Sequence, residues 1–162
     1  MNTVYVMSGL PGSGKTHYCN EHGKNDIVLH RDEFRASLRK KLNTNKYFPV
    51  SSREEQKLWA KEIEKAIPKA KELGKAIWID QTTLTEKALR RIINLFDEDW
   101  KIIVVMMVTE FEECLMRNKT RSGHEFVPEK VIRDMEDNYC LYLNKIWKSY
   151  PNREIETEPV FQ

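Results

Sequence analysis

Gly9-Leu10-Pro11-Gly12-Ser13-Gly14-Lys15-Thr16 is the stretch of this 162-residue chain whose residue types and spacing most directly dictate chemistry. It fits G-x-x-x-x-G-K-[ST] and stands between a β-prone run and a helix-prone one. Gly9, Pro11, Gly12, Ser13 and Gly14 would wrap round a phosphate chain, with backbone N–H groups facing its oxygens at a helix N-terminus whose dipole favours anions. Lys15 would reach the β- and γ-phosphates and the Thr16 hydroxyl would ligate Mg²⁺. The competing reading, a chance glycine-rich turn, requires loop and flanks to coincide by accident. A nucleoside triphosphate, taken as ATP with Mg²⁺, is the first expectation.

Three further places carry candidate chemistry. Leu29-His30-Arg31-Asp32-Glu33-Phe34-Arg35 closes a β-prone run. Asp32 there could accept the proton of an attacking hydroxyl, or simply cap a helix. Arg35, three residues on and on the same helix face, could hold an anionic group of the acceptor, or be a solvated charge. Asp80, before Gln81-Thr82-Thr83, could act on the metal's water shell or the acceptor, or serve as a structural cap. Arg117, Lys119 and Arg121, with Gly123 nearby, suit a mobile lid at about 117–127 closing over a triphosphate, with a solvated basic loop as the alternative. His124 in that stretch reads as exposed.

The elements that must position these groups alternate short apolar runs with longer helical ones, the βαβ pattern of a parallel sheet. Strands are expected at 3–8, 27–30, 75–80 and 101–108, the last apolar throughout and so buried on both faces. Helices are expected at 15–22, 32–42, 51–73 (with Pro68 kinking it and Gly74 ending it), 85–96, from Glu110 with Thr109 as cap, and from Pro128 to about Tyr142. Residues 43–50 read as a loop, and 153–160 as a fifth strand or a frayed tail. The fold class is therefore α/β: a doubly wound, mainly parallel four- to five-stranded sheet flanked by helices, in one domain over 1–162. Carboxyl ends of such strands converge on a ligand crevice, which would bring Asp32 and Asp80 near the phosphate loop.

Composition narrows the class. With 40% hydrophobic and 32% charged residues, disordered, collagen-like and coiled-coil chains are poor fits. The three cysteines make no C-x-x-C, so neither a zinc site nor a disulfide framework is indicated. The longest apolar run, 102–108, is far short of a membrane span, and no signal peptide is evident, so a cytoplasmic protein without membrane partners is expected. Oligomeric state is not legible. The formal charge of +2 conceals two basic segments. One sets Arg31, Arg35, Arg39, Lys40, Lys41 and Lys46 against Asp32 and Glu33, and the other sets Arg117, Lys119, Arg121, Lys130 and Arg133 against Glu125 and Glu129. The helix 54–72 is neutral and reads as a solvated face. Phe34, Tyr47 and Phe48 could stack on bases or pack in the fold.

GLPGSGKT, HRDEFR, IDQTTL followed by Arg90-Arg91, and MRNKTRSGHEFVP occur in an order that resembles the 5′-kinase domain of phage-type polynucleotide kinases. The resemblance spans about residues 3–145. It implies a P-loop NTPase fold and transfer of the γ-phosphoryl group of ATP to the 5′-hydroxyl of DNA or RNA. It also implies Lys15 and Thr16 on phosphates and metal, Asp32 as general base, Arg35 on the acceptor's phosphate, Asp80 near the acceptor, and Arg117 on the transferring group. Arg121 joins Arg117 on the ATP side. Gln81-Thr82-Thr83 replaces the family's Thr-Asn, and the segment between Arg117 and Pro128 is one residue longer. Asp97-Glu98-Asp99-Trp100-Lys101 does not complete the D-x-D-x-[TV] of an attached phosphatase, so phosphatase activity is not expected. A small-molecule kinase on the same loop and lid is the alternative, and a non-catalytic nucleotide-binding module a second.

Overall fold

The strands arise where β-branched and aromatic residues alternate across two buried faces. In the computed structural model, which describes residues 1–123, 126–145 and 155–162, β1 (Asn2–Ser8), β2 (Ile27–His30), β3 (Ile77–Asp80), β4 (Trp100–Val108) and β5 (Ile155–Phe161) form one parallel sheet in the order β2-β3-β1-β4-β5. Val4 is opposite Ile77 on one side and Ile102 on the other. The period of two then sorts the side chains. Val4, Val6, Ile77, Ile79, Ile102 and Val104 belong to one core cluster, and Met7, Trp78, Ile103, Val105 and Met107 to the other. β4 feeds both clusters, as its unbroken apolar run requires.

Helices cover the two faces unequally. The first cluster takes Trp59 and Ile63 from α3 (Ser52–Leu73) and Leu89, Ile92 and Ile93 from α4 (Glu86–Ile93). Each fully buried Ile or Leu there contributes about 1.5–3 kcal/mol. The second cluster takes Cys19 from α1 (Lys15–His22). The remaining helices are α2 (Arg31–Lys41), α5 (Phe111–Lys119) and α6 (Glu129–Lys145). No helix among the described residues is long and apolar enough to cross a membrane.

Local chemistry sets the boundaries. Ser51 Oγ accepts from Glu54 N at 3.2 Å and starts α3, which runs as one helix through Pro68, where the missing N–H withdraws one hydrogen bond. Gly74, at φ 62°, then reverses the chain: Gly74 N donates to Lys71 O and Lys75 N to Ala70 O, the paired bonds of a Schellman stop. That commitment of the Lys75 amide explains why β3 begins at Ile77 rather than at Lys75. The tail forms a strand: β5 pairs with β4 from Ile155 to Phe161, and its Pro159 is tolerated because the strand is an edge.

The winding places the site. From β1 the chain goes out through α1 to β2, returns to β3, then crosses β1 to β4. The carboxyl end of β1 therefore lies where the direction changes, the position at which open α/β sheets bind ligands. Asp26 fixes the start of β2 against β3 by accepting from Ala76 N at 3.1 Å and from the Trp78 indole N–H at 3.0 Å. Asp26→Ala would leave that buried indole donor unpaired, with an expected loss of about 1–3 kcal/mol. Urea unfolding should register it as a lower midpoint at unchanged slope.

Candidate active site

The turn after β1 closes on its own backbone. Gly12 (φ 81°) and Gly14 (φ 94°) lie in the left-handed region, and a Cβ on Gly12 would stand 2.6 Å from the Cys114 carbonyl oxygen. Both substitutions are thus excluded, one by backbone and packing together. The Lys15 ammonium curls back inside the loop, donating to Gly9 O at 3.0 Å and Leu10 O at 2.8 Å. Burial lowers its pKa to about 8, against the opposing pull of the Asp80 charge. Two tethers hold the loop from outside: the Thr109 hydroxyl donates to Ser13 O at 2.9 Å, and Arg117 Nη1 donates to Gly12 O at 3.2 Å. Thr109 therefore does not cap α5, whose N-cap is Glu110 without a side-chain bond. Ser13 Oγ is buried in this loop with no hydrogen-bond partner.

Asp80 ends β3 beside this loop. Its Oδ2 accepts from the Thr16 hydroxyl at 2.7 Å and pairs with His30 Nδ1 at 2.7 Å. Burial pushes the carboxyl pKa up, but the hydrogen bonds from His30 and Thr16 and the Lys15 charge outweigh it, and the net shift is downward. His30 shifts the other way, raised chiefly by its bond to Asp80. Hydroxyl and carboxylate are the hard oxygen donors that suit Mg²⁺. Among the described residues no group of three or more His, Cys, Asp or Glu could hold a metal ion. Two protein oxygens suffice for an ion that draws its other ligands from phosphates and water.

Two clefts open from this floor. One, of about 480 Å³, is lined by Gly12, Gly14, Lys15, Thr16, His17, Arg117, Thr120, Arg121 and Gln162. The other, of about 490 Å³, shares Lys15, Thr16 and Arg121 and extends past Asp80 to Asp32, Arg35, Tyr47 and Phe48, with Phe126, Val127 and Pro128 also lining it. Arg35 is not a loose surface cation. Glu55 of α3, 1% exposed, accepts from Arg31 at 3.0 and 2.6 Å and from Arg35 Nε at 3.0 Å. Burial alone would raise the Glu55 pKa, and the two guanidinium groups reverse that, so it is lowered. The Arg35 guanidinium also lies 5.7 Å from the Tyr47 ring centroid and 5.3 Å from that of Phe48. Asp32 projects into the cleft with its side chain 74% exposed, 3.8 Å from Arg35 Nη1.

The basic stretch is divided between a helix and a loop. Arg117 and Lys119 occupy the last turn of α5, where each turn is hydrogen-bonded, so the loop proper begins at Thr120 rather than at 117. Glu113 accepts from Arg117 Nε at 2.9 Å, one helical turn back. Asn118, 2% exposed, clamps the loop's two ends: its Nδ2 donates to Val127 O at 2.6 Å and its Oδ1 accepts from Val127 N at 3.0 Å. His124 lies outside the described residues.

The sequence profile of the AAA domain family (AAA_33) matches residues 4–141. The chain belongs to that family of P-loop NTPases. No curated protein matches it. Among solved structures, this AAA-domain chain resembles a deoxyadenosine kinase from M. mycoides at TM-score 0.59 and 15% identity, covering 98% of this chain and 89% of that one. A sugar kinase from Janibacter sp. HTCC2649 matches at 0.55 and 15% identity, over 98% and 85%. A chain of the Pnkp1/Rnl/Hen1 complex matches at 0.57 and 19% identity, over 72% of this chain and 38% of that one. At these identities the likenesses establish the shared fold.

The AAA-domain site brings Lys15, Thr16, Asp32, Arg35, Asp80, Arg117 and Arg121 to two adjoining clefts. The sequence reading misses Glu55, taken as part of a solvated helix face. Burial of Glu55 is visible only when α3 is packed beside α2. His30 stands in HRDEFR with no role assigned to it there, and Phe34 packs against Trp59. Removing the carboxylate by Glu55→Ala would leave two guanidinium groups confronting each other. Their partial exposure softens the penalty, giving an expected loss of about 2–4 kcal/mol by chemical denaturation. The Lys15 shift also sets a pH dependence. An anion favours the protonated ammonium, so ATP affinity should be level below about pH 8 and fall as pH rises through it. Titration calorimetry from pH 7 to 9.5 should show that decline, and Lys15→Met should abolish it.

Proposed function

We propose that this P-loop protein is a polynucleotide 5′-kinase, transferring the γ-phosphoryl group of ATP to the 5′-hydroxyl of a DNA or RNA end. The observation that carries the reading is the pair of clefts meeting at Lys15 and Thr16, one cationic beside the phosphate loop, the other holding a carboxylate and a braced arginine beside two aromatic rings. Kinases of sugars and of deoxyadenosine share the fold, so the acceptor is inferred from the second cleft and not from likeness. A guanidinium fixed by a buried carboxylate suits a phosphate diester, and Tyr47 and Phe48 beside it suit a nucleobase. A small polyhydroxy acceptor has no evident use for either.

In this reading Asp32 accepts the proton of the 5′-hydroxyl as its oxygen forms a bond to the γ-phosphorus. The bond from phosphorus to the β–γ bridging oxygen breaks, and ADP leaves. Lys15 and Arg117 offset the charge on the departing side, and Arg121, common to both clefts, sits where donor and acceptor meet. Mg²⁺ held by Thr16 and Asp80 would supply further charge neutralisation on the phosphates. Arg35 orients the acceptor by its first phosphate. The loop after α5, over about 120–127, serves as a lid that excludes water once both clefts are filled.

Asp32→Ala should lower transfer by at least about a hundredfold, the usual worth of a general base, while ATP binding stays near wild type. Arg35→Ala should raise KM for an oligonucleotide far more than for a nucleoside. Assays with labelled ATP, 5′-hydroxyl oligonucleotides, nucleosides and small polyols check both. Phosphorylation confined to the polyols, or full activity without Asp32, would overturn the reading.

A further inference from the structure

His30 takes no part in the proposed transfer, yet it makes one of the two bonds that hold Asp80. It ends β2 directly opposite Asp80 in the parallel register, so the two side chains emerge side by side from neighbouring strands. Its Nδ1 stands 2.7 Å from Asp80 Oδ2, with the imidazole 12% and the carboxylate 8% exposed. An ionised carboxylate can only accept, so Nδ1 carries the proton and donates it. The Thr16 hydroxyl donates to the same oxygen at 2.7 Å. Both bonds fall on Oδ2, and Oδ1 is the oxygen left for a cation.

The two donors are not equivalent. Thr16 is itself a metal ligand in the proposed reaction, whereas His30 lines neither of the clefts that meet at the phosphate loop. The imidazole instead lines a groove of about 480 Å³ between α2 and α3. Without it, the carboxylate could turn about its last torsion toward the Lys15 ammonium, whose charge already acts on it. We propose that His30 is a positioning residue, which orients the Asp80 carboxylate toward Mg²⁺ and thereby sets the affinity of the site for the ion. This inference rests on the reading of Thr16 and Asp80 as the protein's ligands to Mg²⁺ and adds the group that orients one of them. Hydrogen-bond partners of ligating groups are worth about 10–100-fold in metal affinity.

Mn²⁺ serves as the probe, because its free form is read directly by electron paramagnetic resonance. Its dissociation constant is measured on the complex with the β,γ-imido analogue of ATP, without acceptor and with protein in excess of nucleotide. His30→Ala should weaken Mn²⁺ binding by about 10–100-fold, while affinity for the same analogue in EDTA stays near wild type. His30→Asn, whose amide nitrogen can stand in for Nδ1, should recover most of the loss. Imidazole added to His30→Ala should do the same, entering through the groove that the ring lines, and should fail with His30→Phe, which fills the space. Unchanged Mn²⁺ affinity in His30→Ala, or a metal-free affinity that falls equally, overturns the inference. A loss that neither His30→Asn nor imidazole repairs overturns it too. Mn²⁺ binding that depends on His30 without transfer to 5′-hydroxyl ends would remove the proposed reaction and leave His30 its role. Transfer with Mn²⁺ affinity untouched by His30→Ala would remove only the latter.

Discussion

A lysine ammonium held almost out of water is the constraint on which the rest of the site depends. An unpaired buried cation is expensive, so the loop must bend until two of its own carbonyls meet Lys15. That bend demands left-handed backbone at Gly12 and Gly14, and the closeness of Cys114 leaves no room for a side chain at Gly12. Thr109 and Arg117, from beyond the next strand, then secure the curve from outside. The phosphate cradle is consequently shaped before any anion arrives. An arriving anion meets donors already aimed, which is where electrostatic catalysis gains its advantage over water.

The same logic recurs around Arg35. A free arginine would surrender much side-chain freedom on gripping a ligand. Here Glu55 and two aromatic rings hold the guanidinium beforehand, and the loss is met during folding. α3 therefore does more than cover the sheet: its first turn carries the carboxylate that organises two arginines of α2. Asp80 has a comparable support in His30, which occupies one carboxylate oxygen together with Thr16 and leaves the other for a ligand.

Much of this was legible in the residues themselves, and the parts that were not share a cause. β4 could be read because the apolar run 102–108 carries one unbroken signal, and the phosphate loop because its glycines and Lys15 are local in sequence. The end of α3 was legible in Gly74, although the Schellman bonds that delay β3 were not. Glu55 looks like its solvated neighbours until α2 lies against it, since burial is a property of two helices and not of one. Thr109 looked like a helix cap because a hydroxyl before an acidic turn ordinarily is one. Only the fold brings Ser13 O within its reach. β5 was ambiguous for a related reason: an edge strand with Pro159 has a weak pattern of its own and takes its register from β4.

The Asn118 clamp separates two quantities that a loop usually ties together, its length and the position of its ends. One amide binds both backbone atoms of Val127, so the distance between the close of α5 and the start of α6 is set there, whatever lies between. Arg117 on one side and Pro128 on the other keep their places when a residue is added or lost in the intervening span. The segment behaves as an exchangeable cassette, and the insertion of one residue is the kind of change it absorbs. Residues within this span can therefore change while its two ends stay fixed against each other.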